Sequence, residues 1–145
     1  MTYFWAALVA AAVLVGTTLI HYEAITLLDR YARAPHKRLR LALTAVVLML
    51  VGMHLAEIGL YAVTFAVADG PLNLGGFIGR TVMSPADYFH FAAEAYASLG
   101  SGDITATGDL RLITSITPLN GILLLAWSGS FLFSLVDDWR TQAKS

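Results

Sequence analysis

Tyr96-Ala97-Ser98-Leu99-Gly100-Ser101-Gly102-Asp103-Ile104-Thr105-Ala106-Thr107-Gly108-Asp109 is the stretch on which the reading of this 145-residue chain turns. It separates a short, strongly signalled helix from a long apolar run. Its composition favours neither helix nor strand. Gly100 and Gly102 can take backbone angles closed to other L-residues, so successive carbonyls can be turned to one side. Non-helical backbone is tolerated at membrane depth only where protein buries it or where it lines an aqueous path. Carbonyls aligned in this way can replace the hydration shell of a bare cation. Ser98 would add a hydroxyl at one end, and Leu99 and Ser101 are expected to point back into surrounding protein.

Upstream, Ser84-Pro85-Ala86-Asp87 reads as a helix start. Ser84 can cap, Pro85 suits the first helical position, and the Asp87 carboxylate favours the positive helix end. The helix is expected over 85–97, too short to cross a bilayer. Three other runs, 3–28, 41–67 and 111–136, each exceed the roughly 20 residues that a span requires. Composition agrees. Hydrophobic residues make up 57% of the chain and charged residues 13%, with mean hydropathy +0.68, against about 25% charged in a soluble domain. With no cysteine there is neither a disulfide framework nor a thiolate metal site. The net charge of −1 gives no footing for nucleic acid. The first run lacks a basic leading region and continues to Asp29, so it reads as a retained helix, not a signal peptide.

Charge sets an orientation. Residues 29–40 hold Arg30, Arg33, Lys37, Arg38 and Arg40 against Asp29 alone. The positive-inside rule places them in the cytoplasm, with the N-terminus outside and residues 137–145 inside. Tyr3 and Trp5 fall in the outer aromatic belt and Trp139 in the inner one. Residues 68–110 then face or enter from outside. Within 69–111, Asp69, Asp87, Glu94, Asp103 and Asp109 against Arg80 and Arg111 give a net −3, a vestibule that would concentrate cations.

Ser98-Leu99-Gly100-Ser101-Gly102-Asp103 resembles the Thr-Val-Gly-Tyr-Gly-Asp filter signature of potassium channels. Asp87 to Leu135 is similar to the bacterial two-helix ion channel domain. Tyr88-Phe89, Gly102-Asp103-Ile104-Thr105, Thr107-Gly108-Asp109-Leu110-Arg111-Leu112, Gly121 and Trp127-Ser128 carry the likeness. His21-Tyr22-Glu23-Ala24 resembles a subgroup with an extra N-terminal helix. The resemblance implies an all-α membrane protein of three transmembrane helices with a re-entrant pore helix and filter loop. One loop per chain then implies a homotetramer, embedded in lipid, in the inner (plasma) membrane. Residues 1–40 would form the N-terminal helix and basic loop, and 41–145 the pore domain, with outer helix 41–67, pore helix 85–97, filter 98–103 and inner helix 111–136. K⁺, or K⁺ with Na⁺, would pass along Ser98, Leu99, Gly100, Ser101, Gly102 and Asp103, with no organic cofactor and no enzymatic activity. The sequence departs from the family's pattern at three places in and around the signature. Ser101 replaces the aromatic that packs behind the filter, Ala97 a Thr, and Ala106 a Pro.

His90 and Glu94 stand at i, i+4 on the short helix, placed to brace the filter. Pro118 and Gly121 are candidates for a gate hinge, although small residues also serve helix packing. Thr114, Thr117 and Asn120 share a face that could line a wet cavity. His21, Glu23, His54 and Glu57 are ionisable groups inside spans, which are costly and face protein or water. Interhelical hydrogen bonding, proton sensing and divalent metal binding are all open to them. Two rival readings of the whole chain follow: a non-conducting, channel-like scaffold or regulatory subunit, and a membrane metal-binding protein. The chain has no arginine repeat of a voltage sensor, no nucleotide loop and no zinc signature.

Overall fold

The computed structural model describes residues 2–33, 39–80, 82–100 and 102–142. Ser101, Lys37 and Arg38, each singled out above, lie outside them. The elements in chain order are α1 (Thr2–Ala32), α2 (Leu39–Asp69), β1 (Phe77–Ile78), α3 (Pro85–Tyr96), β2 (Thr105–Ala106) and α4 (Leu110–Gln142). Three helices are long and apolar enough to cross a membrane: Thr2–Ala32, Leu39–Asp69 and Leu110–Thr141. At 1.5 Å per residue a 31-residue helix is about 46 Å long, against a hydrocarbon core of about 30 Å. The helices therefore run past the apolar runs read from the sequence, α1 to Ala32 and α4 to Gln142. The added turns carry charge, with Asp29 and Arg33 paired at 2.8 Å and Arg33 reaching Asp138 at 3.8 Å. The chain is a membrane protein by these spans.

On α1 the inward face is mostly small or polar and the outward face large and apolar. On α1, Ala6, Ala10, Val13, Thr17, His21, Leu28 and Ala32 are buried, at heptad-like spacings of three, four and seven. Phe4, Trp5, Leu8, Val15, Leu19, Ile20 and Leu27 are exposed. In water this pattern would be ruinous, and in lipid it is economical. Tails are as apolar as leucine, so helices associate by close backbone approach and interhelical hydrogen bonds, not by burying hydrophobes.

α3 packs between α2 and α4, and α1 against α2 and α4. The ends of α3 fix its course. Tyr88 near its start donates to Asp69 at the end of α2, and Tyr96 at its close donates to Glu57, twelve residues back along α2. Those twelve residues span about 18 Å, so α3 runs antiparallel beside α2 to the middle of its length. α4 continues unbroken through Pro118.

Candidate functional site

The start of α3 is the capping box that its sequence announces. Ser84 Oγ accepts from the Asp87 N–H at 3.2 Å, and Asp87 Oδ2 accepts from the Ser84 N–H at 2.9 Å. The Ser84 hydroxyl and N–H hold the Asp87 carboxyl below its ordinary range, with Arg80 at 3.5 Å adding a smaller effect. At the other end the helix closes with two characteristic bonds. Leu99 N–H donates to Glu94 O at 2.9 Å and Ser98 N–H to Ala95 O at 3.1 Å. This is a Schellman closure, whose left-handed residue is usually glycine. Here it is Ser98, at φ +59°. Gly100 follows, also left-handed, at φ +85°. Two positive φ values two residues apart give the 98–100 segment its irregular, non-helical course.

Within one chain this segment stands clear of the protein. Leu99 is 78% exposed, so its side chain does not point back into the protein that bears it. Ser98, Gly100, Gly102 and Asp103 are exposed as well. A cavity of about 360 Å³ opens beside it, lined by Phe91, Ala95, Ser98, Gly100, Thr114, Ser115 and Pro118. Glu94 sits behind the loop: its Oε1 would lie 3.8 Å from a Cβ on Gly102. It also pairs with His90 Nε2 at 3.3 Å, while the His90 side chain is 69% exposed.

The exit of the loop is held by a strap that the sequence reading did not foresee. β1 pairs antiparallel with β2, Phe77 opposite Ala106 and Ile78 opposite Thr105. Thr107 N–H donates to Gly76 O at 2.8 Å, and Asp109 N–H to Leu74 O at 2.8 Å. Phe77 anchors the strap by packing edge-on to Phe91 at 4.9 Å between ring centres and to Tyr88 at 5.7 Å. Gly79, at φ +104°, lies against the Asp103 carbonyl so closely that any Cβ would overlap it. The signal available in the sequence was Gly75-Gly76-Phe77-Ile78-Gly79, a two-residue apolar pair between glycines.

Beneath the loop lies a buried polar ring drawn from all four helices. His21 Nδ1 donates to Glu57 Oε1 at 2.9 Å, and His54 Nδ1 to Glu57 Oε2 at 3.1 Å. Tyr96 donates to Glu57 Oε2 at 2.5 Å. Ser128 Oγ lies 3.0 Å from His54 Nε2 and 3.5 Å from His21 Nε2. His21 and Glu57 are wholly buried. Glu23 is exposed and outside this ring. Two residues from His21 on a helix, it is turned about 200° away, onto the outer face. Tyr96 and Ser128, which the sequence reading did not place here, take the vacancy. A second bridge lies nearby, where Asn120 Nδ2 donates to Thr17 Oγ1 at 2.6 Å and to Tyr61 at 2.9 Å. Thr117 and Asn120 are thus buried inside the chain and do not face a wet cavity, whereas Thr114 does line the open one. Gly121 meets the Tyr96 carbonyl so closely that a Cβ there would overlap it.

The site is thus a short helix ending in a left-handed, glycine-bearing loop, strapped at its exit and followed by a long apolar helix. Residues 55–137, more than half of the chain, match the family model described as "Ion channel", the two-helix ion channel domain. The chain belongs to this ion channel family. No curated protein and no solved structure matches it. The family match begins one residue after His54 and ends at Asp137, so it contains α3, the loop and nearly all of α4. α1 and the first half of α2 lie outside it. They are nonetheless bound into the same core through His21, His54 and Thr17.

Proposed function

We propose that the protein is a homotetrameric channel for monovalent cations, K⁺ foremost, with the backbone carbonyls of Ser98 to Gly102 as its filter. α3 would be the re-entrant pore helix, entered from outside, with the basic 29–40 segment and the C-terminal end of α4 in the cytoplasm of the inner membrane. The observation that carries this reading is the closure of α3. A helix that stops halfway down α2 with its carbonyl end toward a left-handed loop aims a negative dipole end at the position below that loop. Such a site favours a cation. The exposure of Leu99 and the open cavity beside Phe91 and Pro118 fit a chain whose loop is covered by other copies, and four copies would close the ring.

Glu94 behind Gly102 would brace the filter, with His90 supporting Glu94 from its outer side. Asp103, exposed at the exit, would add charge to an acidic mouth. Pro118 lacks the N–H that would bond the Thr114 carbonyl, and so marks where the inner helix can bend. Gly121, tight against Tyr96, would transmit that bend to the foot of the pore helix.

The test is ion flux in liposomes, with K⁺, Na⁺ and a large organic cation each as sole charge carrier. Flux of K⁺ well above Na⁺, and none of the organic cation, is expected. Equal K⁺ and Na⁺ flux would show that serine at 101 costs the filter its selectivity. Absence of flux under every voltage and pH would overturn the channel reading in favour of a non-conducting, channel-like scaffold.

A further inference from the structure

The polar ring beneath the loop has a deficit of protons. His21, Ser128, His54 and Glu57 form a closed circuit, with Tyr96 attached at Glu57. A neutral imidazole carries one N–H, and a serine or tyrosine hydroxyl one O–H; a carboxylate carries none. With both imidazoles protonated at Nδ1, their protons and the tyrosine proton are spent on Glu57 and on the 2.9 Å contact between His54 Nδ1 and the Tyr96 oxygen. The Ser128 proton remains, and it faces two bare Nε2 atoms, at 3.0 Å and 3.5 Å. It can serve only one of them. The buried carboxylate also leaves the ring with net negative charge in a low-dielectric interior, where an uncompensated charge is expensive. Both defects vanish if a divalent cation enters the ring and the Tyr96 proton leaves to solvent, since two positive charges then meet one carboxylate and one phenolate.

We propose that His21, His54 and Glu57 bind a divalent transition-metal ion, Zn²⁺ or one of similar chemistry, with Tyr96 as the fourth group. One ligand atom from each of the three residues lies within 4.8 Å of the others. Both imidazoles turn the same nitrogen, Nδ1, toward the carboxylate and the same nitrogen, Nε2, toward Ser128. With Nδ1 on an ion, each ring carries its proton on Nε2. The Ser128 oxygen has two lone pairs and can accept from both. Metal-bound histidines are held in this manner, by an outer acceptor on the second nitrogen. Two imidazoles, a carboxylate and a phenolate suit zinc in four-coordination, where ligand atoms sit about 3.3 Å apart for bonds near 2.0–2.1 Å. The 2.9 Å and 3.1 Å contacts of the histidines with Glu57 and the 2.9 Å contact of His54 with Tyr96 need to open by a few tenths of an ångström, and the 2.5 Å contact of Tyr96 with Glu57 by about 0.8 Å. Three of the four groups come from α1, α2 and α3, so the ion would clamp the N-terminal helix to the foot of the pore helix.

The experiment uses the full, untagged chain, expressed in zinc-supplemented medium and purified in detergent with excess K⁺ and Mg²⁺. Elemental analysis should find close to one Zn²⁺ per chain. Co²⁺ in its place should give the visible ligand-field absorption of a four-coordinate N/O site. Glu57→Gln and His54→Ala should lose the metal. Ser128→Ala, which removes no ligand and is the mildest change, should weaken affinity about 10–100-fold. Wild-type protein that holds no zinc, and melts at one temperature with and without it, would overturn the proposal and leave a proton as the missing cation. Zinc held equally by wild type, Glu57→Gln and Ser128→Ala would overturn it too. Bound metal is read without ion flux, so this result and that of the liposome assay are independent.

Discussion

The ring around Glu57 and the loop after Ser98 lie at opposite extremes of completeness. In the ring, residues from four helices meet within one chain, and among the described residues no buried side-chain N or O lacks a partner. In the loop, the side chains stand exposed and Leu99 has nothing of its own chain to cover it. The ring's side chains are brought together by the folding of one chain, whereas the loop is left uncovered by it. The difference teaches where each kind of perturbation should register: ring changes chiefly in the stability of the chain, loop changes chiefly in conduction.

The severest test of that division is Glu57→Ala. Its two interhelical hydrogen bonds, to His21 and Tyr96, set a floor near 1 kcal/mol at about 0.6 kcal/mol each. Stranding two imidazoles and a phenol without their acceptor raises the expected cost to about 3–5 kcal/mol. Thermal unfolding in detergent measures it. A loss under about 1 kcal/mol would mean that the ring is not what joins α1 and α2 to α3.

Gly121→Ala comes next. The added methyl overlaps the Tyr96 carbonyl, and backbone cannot rotate away as a side chain can, so α4 must move off α3. Overpacking of this kind costs about 1–3 kcal/mol. Gly129→Ala, eight residues further on with open space around it, is the matched control and should be silent. Equal melting temperatures for the two variants would deny that Gly121 is a packing contact and favour its use as a hinge.

Those two positions also show what the sequence could and could not disclose. The spans, the Ser84-Pro85-Ala86-Asp87 cap and the non-helical loop were legible because each is written in neighbouring residues: hydropathy over a window, a cap and its partner three apart, glycine alternation. His21, His54 and Glu57 were legible as costly groups that must meet something. What they meet was not, since Tyr96 and Ser128 are ordinary residues until the fold brings them within 3 Å. Glu23 has the same chemistry as Glu57 and a similar depth, yet it is turned to the outer face. The β1–β2 strap was missed for a related reason: two residues are too few to show alternation, and their pairing joins segments 27–29 residues apart.

Gly100→Ala examines the loop side of the comparison. Nothing lies within 4 Å of the position of a Cβ, so there is no clash. The penalty is the left-handed φ of +85°, about 1–2 kcal/mol for alanine. The fold should survive with a small shift in melting temperature, while cation flux disappears as the carbonyl course is lost. Normal flux through this variant would break the carbonyl-filter reading, and unfolding would break the claim that loop and ring are energetically separate.

The smallest effect belongs to the exposed cap of α3. Ser84→Ala removes the hydroxyl that accepts from Asp87 N–H and donates to Asp87 Oδ2 at 2.7 Å, at a cost of about 1 kcal/mol. Its pH dependence has a definite sign. Asp87 is held below its ordinary range chiefly by the Ser84 hydroxyl, so folding favours the carboxylate. That stabilisation is fully present above the unfolded pKa, roughly 3.9, and is lost as pH falls through the lower folded value. Wild type should therefore lose stability on titration from about pH 5 downward, and Ser84→Ala should show a shallower loss, since only the Ser84 N–H and Arg80 still hold the charge. Parallel titration curves for the two would locate the acid sensitivity elsewhere. A large loss from Ser84→Ala would show that the α3 start, not the ring at its foot, carries the stability of the chain.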